Sequence, residues 1–159
     1  MTNMDKSLKN VMTTRLVTVE LDDTLAVVKQ IFDSVKFRHL LVVDSHKKLC
    51  GVISDRDLLR ALSPHIGTLA ENARDTATLH KRVHQIMTRH PVTLTPEATL
   101  AEAVQLFLEH RVSCVPVVGP DFKAVGIVSW RDVLRSLLPQ NDAARAGCGG
   151  ASCKISSMS

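Results

Sequence analysis

The spacing of hydrophobic residues changes along the chain between two periods, and each period predicts a different element. Apolar residues alternate with threonine at Val17 and Val19, which predicts a short strand. They then recur every three or four residues from Leu25 to Val35, which predicts a helix with one buried face. The apolar, β-branched segments HLLVVD and CGVIS predict two strands joined by a turn. The amphipathic segment SDRDLLRAL, which ends before Pro64, predicts a second helix.

The same order of patterns returns 75 residues later without an insertion or deletion, so the chain contains an internal duplication. The pairs that align include Met12 with Met87, Phe32 with Phe107, Gly51 with Gly126, Ser54 with Ser129 and Asp57 with Asp132. In the second copy, Thr99 and Glu102 have the spacing of a helix capping box. Each copy therefore reads as β-α-β-β-α.

A small sheet that carries both helices on one face must bury its other face elsewhere. We therefore expect an α/β (α+β) fold in which the two copies pack together through their sheets, related by a pseudo-two-fold, with the helices outside. The patterns place the first repeat at residues 10–64, a helical connector at 65–84 and the second repeat at 85–140. A flexible tail rich in Gly, Ser and Cys is expected at 141–159.

Composition narrows the class of protein. Hydrophobic residues make up 45% of the chain, which is typical of a globular protein. No apolar run approaches the roughly 18 residues needed to cross a bilayer, and no secretory leader is recognisable, so we expect a cytoplasmic protein without a membrane partner. The net charge of +4 suggests nucleic acid, but aromatic residues are only 3% and the basic residues are scattered, which argues against that partner.

Cysteine and histidine offer no convincing catalytic or metal site. Cys50 and Cys114 lie in apolar strands, where a free cysteine behaves as a small hydrophobic residue. Cys148 and Cys153 in the tail could close a disulfide or hold a soft metal, but their C-x4-C spacing with no second pair favours an uncommitted tail. The seven histidines form no metalloenzyme motif, and neither a G-x-S-x-G elbow nor a P-loop is present. We therefore predict no catalytic residue, no metal and no enzyme.

The repeated corner between strand and helix carries the candidate chemistry. Ser54 and Asp57, like Ser129 and Asp132, have the spacing of a helix cap, which is the purely mechanical interpretation. Alternatively, a helix start with Ser and a neighbouring Arg56 or Arg131 suits a phosphate. A carboxylate suits the two hydroxyls of a ribose. Together these groups predict a nucleotide, whose base would lie against the aliphatic residues Val92, Val112, Pro116 and Ile127.

The segment IMTRHPVTLTPEATLAEAV…HRVSCVPVVGPDFKAVGIVSWRDVL resembles the CBS (cystathionine β-synthase) domain, and VMTTRLVTV…FRHLLVVDSHKKLCGVISDRDLL is a second copy. The resemblance covers residues 10–138 and is more specific as a tandem pair than as single motifs. Such a pair is similar to a Bateman module, which has two clefts between the sheets and often forms a homodimer. The resemblance implies an adenosine-containing ligand: AMP, ADP or ATP, with NAD or S-adenosylmethionine as alternatives, and no required cofactor.

The resemblance also implies ligand contacts for each cleft. For the second cleft these are Pro91, Val92, Val112, Ser113, Cys114, Pro116, Ser129, Arg131 and Asp132. For the first cleft they are Leu16, Val17, Phe37, Arg38, His39, Ser54, Arg56 and Asp57. The first copy departs from the family pattern, because Leu16 and Leu41 replace the prolines at 91 and 116, although Arg38 and His39 add positive charge for a phosphate. We therefore expect the base to fit best beside Asp132.

The sequence leaves two functions open. The first is a stand-alone regulatory protein that binds an adenosine nucleotide and signals to an unknown protein effector. The second is a dimeric interaction scaffold that needs no ligand.

Overall fold

The computed structural model describes residues 3–138, so the predicted tail with Cys148 and Cys153 lies outside the described residues. The first repeat contains β1 (Thr18–Glu20), α1 (Leu25–Ser34), β2 (His39–Val43), β3 (Leu49–Ser54) and α2 (Asp55–Ala61). α3 (Ala73–Ala77) lies in the connector. The second repeat contains β4 (Thr88–Arg89), α4 (Leu100–His110), β5 (Cys114–Val118), β6 (Ala124–Ser129) and α5 (Trp130–Leu137). The α+β class predicted from the repeat is confirmed.

The strands of the two repeats have the same arrangement, except for the first strand of the second repeat. β1 runs parallel to β2, which is antiparallel to β3. The strand predicted around Val92 is reduced to a single bridge between Leu94 and Val117. The reason is chemical: in the first repeat the Leu41 N–H donates to the Val17 carbonyl, whereas the residue equivalent to Leu41 is Pro116, which has no N–H.

The segment that precedes each repeat crosses over to the other repeat. Residues of β4, at the start of the second repeat, pair with Gly51 and Val52 in the first. In the matching position, Thr13 bridges Ile127 in the second repeat. The two repeats therefore exchange their leading segments instead of folding as separate units.

Glycine is required where these leading segments pass over the sheets. A Cβ atom on Gly51 would lie 2.7 Å from both the Met87 sulfur and the Thr88 carbonyl oxygen. A Cβ atom on Gly126 would collide with the side chain of Met12. Contacts this short do not occur between real atoms, so the close approach of backbone and methionine depends on the missing side chain.

The cores reflect the same exchange. Leu8 is fully buried in the core of the second repeat, together with Leu100, Ala103, Val117 and Val128. Val83, its counterpart 75 residues later, is fully buried in the core of the first repeat. A third buried cluster joins the facing sheets of the two repeats and contains Leu41, Leu49, Val52, Cys114 and Val118. The expected packing of the copies through their sheets is therefore present.

The connector begins with irregular chain and contains less helix than its composition suggests. Asn72 caps α3 by accepting hydrogen bonds from the N–H groups of Arg74 and Asp75. The Ser63 hydroxyl donates to the carboxylate of Asp75, which is buried. That hydrogen bond lowers the pKa of Asp75. The connector is thereby attached to the chain that leaves α2.

Candidate functional site

The two repeated corners have the same hydrogen bonds. The Asp57 N–H donates to Ser54 Oγ (3.2 Å), while Asp57 Oδ2 accepts from the Ser54 N–H (2.8 Å) and hydroxyl (2.7 Å). The corresponding distances for Ser129 and Asp132 are 3.4, 2.8 and 2.7 Å. The helix caps predicted from the sequence are confirmed at both corners. One carboxylate oxygen of each aspartate is therefore committed to its helix.

The other carboxylate oxygen of Asp132 is available to a ligand. The Asp132 side chain is 10% exposed, and its Oδ1 accepts only one long hydrogen bond (3.5 Å) among the described residues, from Arg135. Arg135 itself is 75% exposed. A charged oxygen at a partly closed site, with a weak partner, is the kind of acceptor that two hydroxyl groups can engage.

A cavity of about 400 Å³ lies between the repeats, within the usual size range of small-molecule sites. The first repeat contributes an apolar wall that includes Leu16, Val17, Phe37 and Leu41. Polar groups come from both corners. They are Ser54, Asp55 and Arg56 of the first repeat and Ser129, Arg131 and Asp132 of the second. The cavity therefore brings together the two helix starts that the sequence repeats.

The cavity combines the candidate residues across the repeats, whereas the clefts predicted from the sequence combine them within each repeat. Asp132 lies with Leu16, Val17, Phe37, Arg38 and His39, while Asp57 is absent from the lining. The reason is the crossover of the leading segments, because Thr13 bridges Ile127 and brings the following Leu16 and Val17 towards the corner of the second repeat.

The remaining candidate residues lie outside this cavity. Pro91, Val92 and Val112 are half-buried, while Cys114 and Pro116 are buried in β5, and none of these five lines the cavity. Burial raises the pKa of the Cys114 thiol to about 12, and the negative charge of Asp57 contributes to that rise. The charge of Asp57 therefore acts on Cys114 of the second repeat, whereas Asp132 lies with residues of the first.

Several residues on the cavity were missed by sequence reasoning. Trp130 lines it, with the guanidinium of Arg131 5.5 Å from its ring centroid, although the sequence pattern predicted no role for this single tryptophan. Arg15, Lys36 and Asp55 also line it, together with Arg135. The available clue was position, since Arg15 and Lys36 lie next to the candidates Leu16 and Phe37 in sequence.

His39 connects the two repeats at the edge of this cavity. Its Nε2 lies 3.0 Å from the hydroxyl oxygen of Ser113. Burial lowers the pKa of His39, assisted by the charges of Arg38 and Arg131 and opposed by Asp55 and Asp57. Burial thus favours the neutral imidazole, whose contact with Ser113 is a hydrogen bond between uncharged groups.

We expect the contribution of His39 to stability to fall as the pH is lowered. Because its pKa is lower in the folded state, the unfolded chain takes up a proton first as the pH drops through 6.5. Urea denaturation of the wild type and of His39→Gln between pH 7.5 and 5.5 measures this. The free energy of unfolding should decrease more steeply in the wild type, and equal slopes would contradict the prediction.

Within residues 3–138, no group of three or more His, Cys, Asp or Glu side chains could hold a metal ion. In the same part of the chain, every helix is too short or too polar to span a membrane.

Comparison with known proteins identifies the repeat. The family model for the CBS domain matches residues 8–64 and 83–139. A CBS domain-containing protein from Dictyostelium discoideum is 34% identical over 131 residues, covering 82% of this chain and 90% of that protein. By contrast, the chain covers only 21% of an inosine-5′-monophosphate dehydrogenase from Methanocaldococcus jannaschii, with 28% identity.

Solved structures agree with the family match. CBSX2, crystallised in complex with AMP, superposes with a TM-score of 0.68 at 28% identity, covering 82% of this chain and 94% of that one. A CBS domain pair crystallised with 5′-methylthioadenosine and S-adenosyl-L-methionine has the same TM-score at 25% identity and the same coverage. With two segments matched by the family model and the architecture of solved CBS domain pairs, this chain belongs to the CBS domain family and is a tandem CBS domain pair.

Proposed function

We propose that this protein is a regulatory module that binds an adenosine-containing ligand in the cavity between its repeats. The observation that carries the proposal is the position of Asp132, which lines a cavity with an apolar wall from the other repeat and whose Oδ1 has only one weak partner among the described residues. A carboxylate of this kind accepts hydrogen bonds from both hydroxyls of a ribose. Leu16, Val17 and Phe37 provide an apolar surface for the base.

The related structures support the ligand class. CBSX2 was crystallised with AMP, and the other CBS domain pair with two adenosine compounds. AMP, ADP and ATP are the ligands we favour, because Arg38, Arg56 and Arg131 line the cavity and can bind phosphate. Adenosine compounds without phosphate remain alternatives, as does NAD.

We propose a second, pseudo-symmetric cleft around Asp57. It would contain Pro91, Val92, Val112, Cys114 and Pro116, and it would share Ser54 and Ser113 with the first cavity, which both of them line. The electrostatic effect of Asp57 on Cys114 supports this grouping. Because β5 carries Cys114 and Pro116 in place of His39 and Leu41, the two clefts would differ in shape and charge.

Regulation would follow from the position of the cavity. The ligand would contact both repeats, and the hydrogen bond between His39 and Ser113 already connects them there. A ligand shifts an equilibrium only as far as its affinity differs between two states, so regulation requires a second arrangement of the repeats. The proposed recipient of the signal is a protein effector. Absence of catalysis and a cytoplasmic location stay predictions from the sequence.

The ligand-independent scaffold is the second candidate, and exposed leucines favour it. Four leucines on or next to the second helix of each repeat are between 48% and 72% exposed. They are Leu59 on α2, Leu134 and Leu137 on α5, and Leu138, which follows α5. Apolar side chains on equivalent helices suit a contact with a second copy of the chain. We expect sedimentation equilibrium to give twice the chain mass of 17.5 kDa, and a monomer at micromolar concentration would contradict the dimer.

Calorimetric titration tests the proposed function directly. AMP, ADP, ATP, NAD and S-adenosylmethionine are titrated into protein shown to be free of nucleotide. Trp130, the only tryptophan, lines the cavity, so its fluorescence reports binding at this site. Binding of an adenosine compound accompanied by a change in this fluorescence supports the proposal. If none of the five compounds binds, the scaffold becomes the better explanation.

A further inference from the structure

The cavity is lined by many more cations than anions. Two carboxylates face it, from Asp55 and Asp132. Six cationic side chains surround them: Arg15, Lys36, Arg38, Arg56, Arg131 and Arg135. The lining therefore has an excess of four positive charges, and it accounts for six of the 20 lysines and arginines of the chain. Cations gathered at a cleft between apolar walls attract an anionic ligand.

Most of this charge has no ion-pair partner among residues 3–138. Arg38 lies 3.6 Å from the Asp55 carboxylate, and Arg135 lies 3.5 Å from that of Asp132. In the described part of the chain, the other four cationic side chains form no ion pair shorter than 4.0 Å. They are Arg15, Lys36, Arg56 and Arg131. Their mutual repulsion is relieved when an anion binds among them.

Two of the six cations, Arg15 and Arg38, have no lysine or arginine at the equivalent position of the other repeat, whereas the other four do. In the second repeat, His90 occupies the position of Arg15 and Ser113 the position of Arg38. If these arginines served only the fold, their counterparts would be expected to keep a similar character. Arg15 and Arg38 are moreover exposed, so neither contributes to a buried core.

We infer that this cavity selects an adenosine nucleotide with a chain of two or more phosphates over adenosine compounds that lack phosphate. The inference rests on the proposed function, which supplies the adenosine site itself. A polyphosphate places several negative charges within reach of cations from both repeats, which a single phosphate does less completely. The sulfonium of S-adenosylmethionine carries a positive charge that the lining repels.

Calorimetric titration with ADP, ATP, 5′-methylthioadenosine and S-adenosylmethionine provides the test, with Trp130 fluorescence as the second readout. We expect ADP and ATP to bind at least about tenfold more tightly than either phosphate-free compound, as one charge-assisted hydrogen bond suffices for that ratio. Raising the KCl concentration from about 50 to about 300 mM should weaken ATP binding and leave 5′-methylthioadenosine unchanged.

A double variant locates the selectivity. Arg15→His with Arg38→Ser introduces the residues of the second repeat at exposed positions, so folding should be preserved. We expect it to lose most of the preference for ATP while its affinity for 5′-methylthioadenosine stays the same. Arg74→Gln is the matched control, because it removes an exposed arginine on α3 that is not on the cavity.

The possible results separate the two ideas. Equal affinity for ATP and 5′-methylthioadenosine would overturn the phosphate selectivity and leave the adenosine site intact. Loss of the preference in Arg74→Gln to the same degree would also overturn it, since overall charge would then be the cause. If no adenosine compound binds at all, the proposed function fails, and the inference fails with it.

Discussion

Asp132→Asn is expected to weaken the binding of AMP by about 10- to 100-fold without unfolding the protein. In the proposed site the carboxylate accepts from the ribose, and hydrogen bonds to a charged group contribute about 1.5–3 kcal/mol. The asparagine side-chain oxygen can still accept from the Ser129 N–H, so most of the helix cap should survive. The midpoint of the Trp130 fluorescence change measures the affinity of this cavity, and circular dichroism verifies the fold.

Asp57→Asn is the matched control for this experiment. It removes the same charge from the same kind of capping box, but Asp57 does not line the cavity. We expect the change in Trp130 fluorescence on binding to keep its midpoint in this variant and to shift to higher AMP concentration in Asp132→Asn. Equal weakening in both variants would show that helix capping, and not contact with ribose, explains the effect.

Leu8→Ala is expected to lower the free energy of unfolding by about 2–5 kcal/mol, the usual range for a leucine removed from a core. Leu8 precedes the first repeat, yet it is fully buried among core residues of the second, including Leu100 and Val128. Its N–H also donates to the Ala98 carbonyl. Urea denaturation followed by circular dichroism gives the free energy. A decrease of this size would mean that a short N-terminal segment carries a large share of the stability.

Lys9→Ala provides the comparison, because Lys9 is the next residue along the chain and its side chain is exposed. We expect it to change the free energy of unfolding by less than about 0.5 kcal/mol. If Leu8→Ala were equally mild, the leading segment would contribute little to the second repeat, and the exchange of segments would lose its structural importance.

Local structure was predictable wherever it depends on interactions between residues that are close in sequence. The helix periods, the start of α4 at Leu100 and the capping boxes of Ser54 and Ser129 follow from patterns within a few residues. The prediction of a strand around Val92 was wrong, and the reason lies outside the few residues that such a pattern covers. Its partner strand contains Pro116, and a missing N–H matters only once the pairing of the two strands is known.

The residue types of the candidate site were predictable from the sequence. Which of these residues lie together was not. Ser129 and Asp132 stood out because the corner repeats, and both line the cavity. Their neighbours there, Leu16 and His39, belong to the other repeat, which no pattern within one repeat can reveal. Trp130 and Arg15 were missed for the same reason, since each gains significance only from what lies across the cleft.

By itself, the sequence determined the duplication, the elements of both copies except the first strand of the second, the family resemblance and the residue types at the repeated corner, because these depend on local spacing and side-chain chemistry. Only the tertiary structure decided which corner meets which apolar wall. That choice depends on the crossover in which Thr13 pairs with Ile127 and β4 with β3, which are contacts between residues far apart in the chain. Long-range pairing of this kind is set by the burial of whole sheet faces, and no local pattern records it.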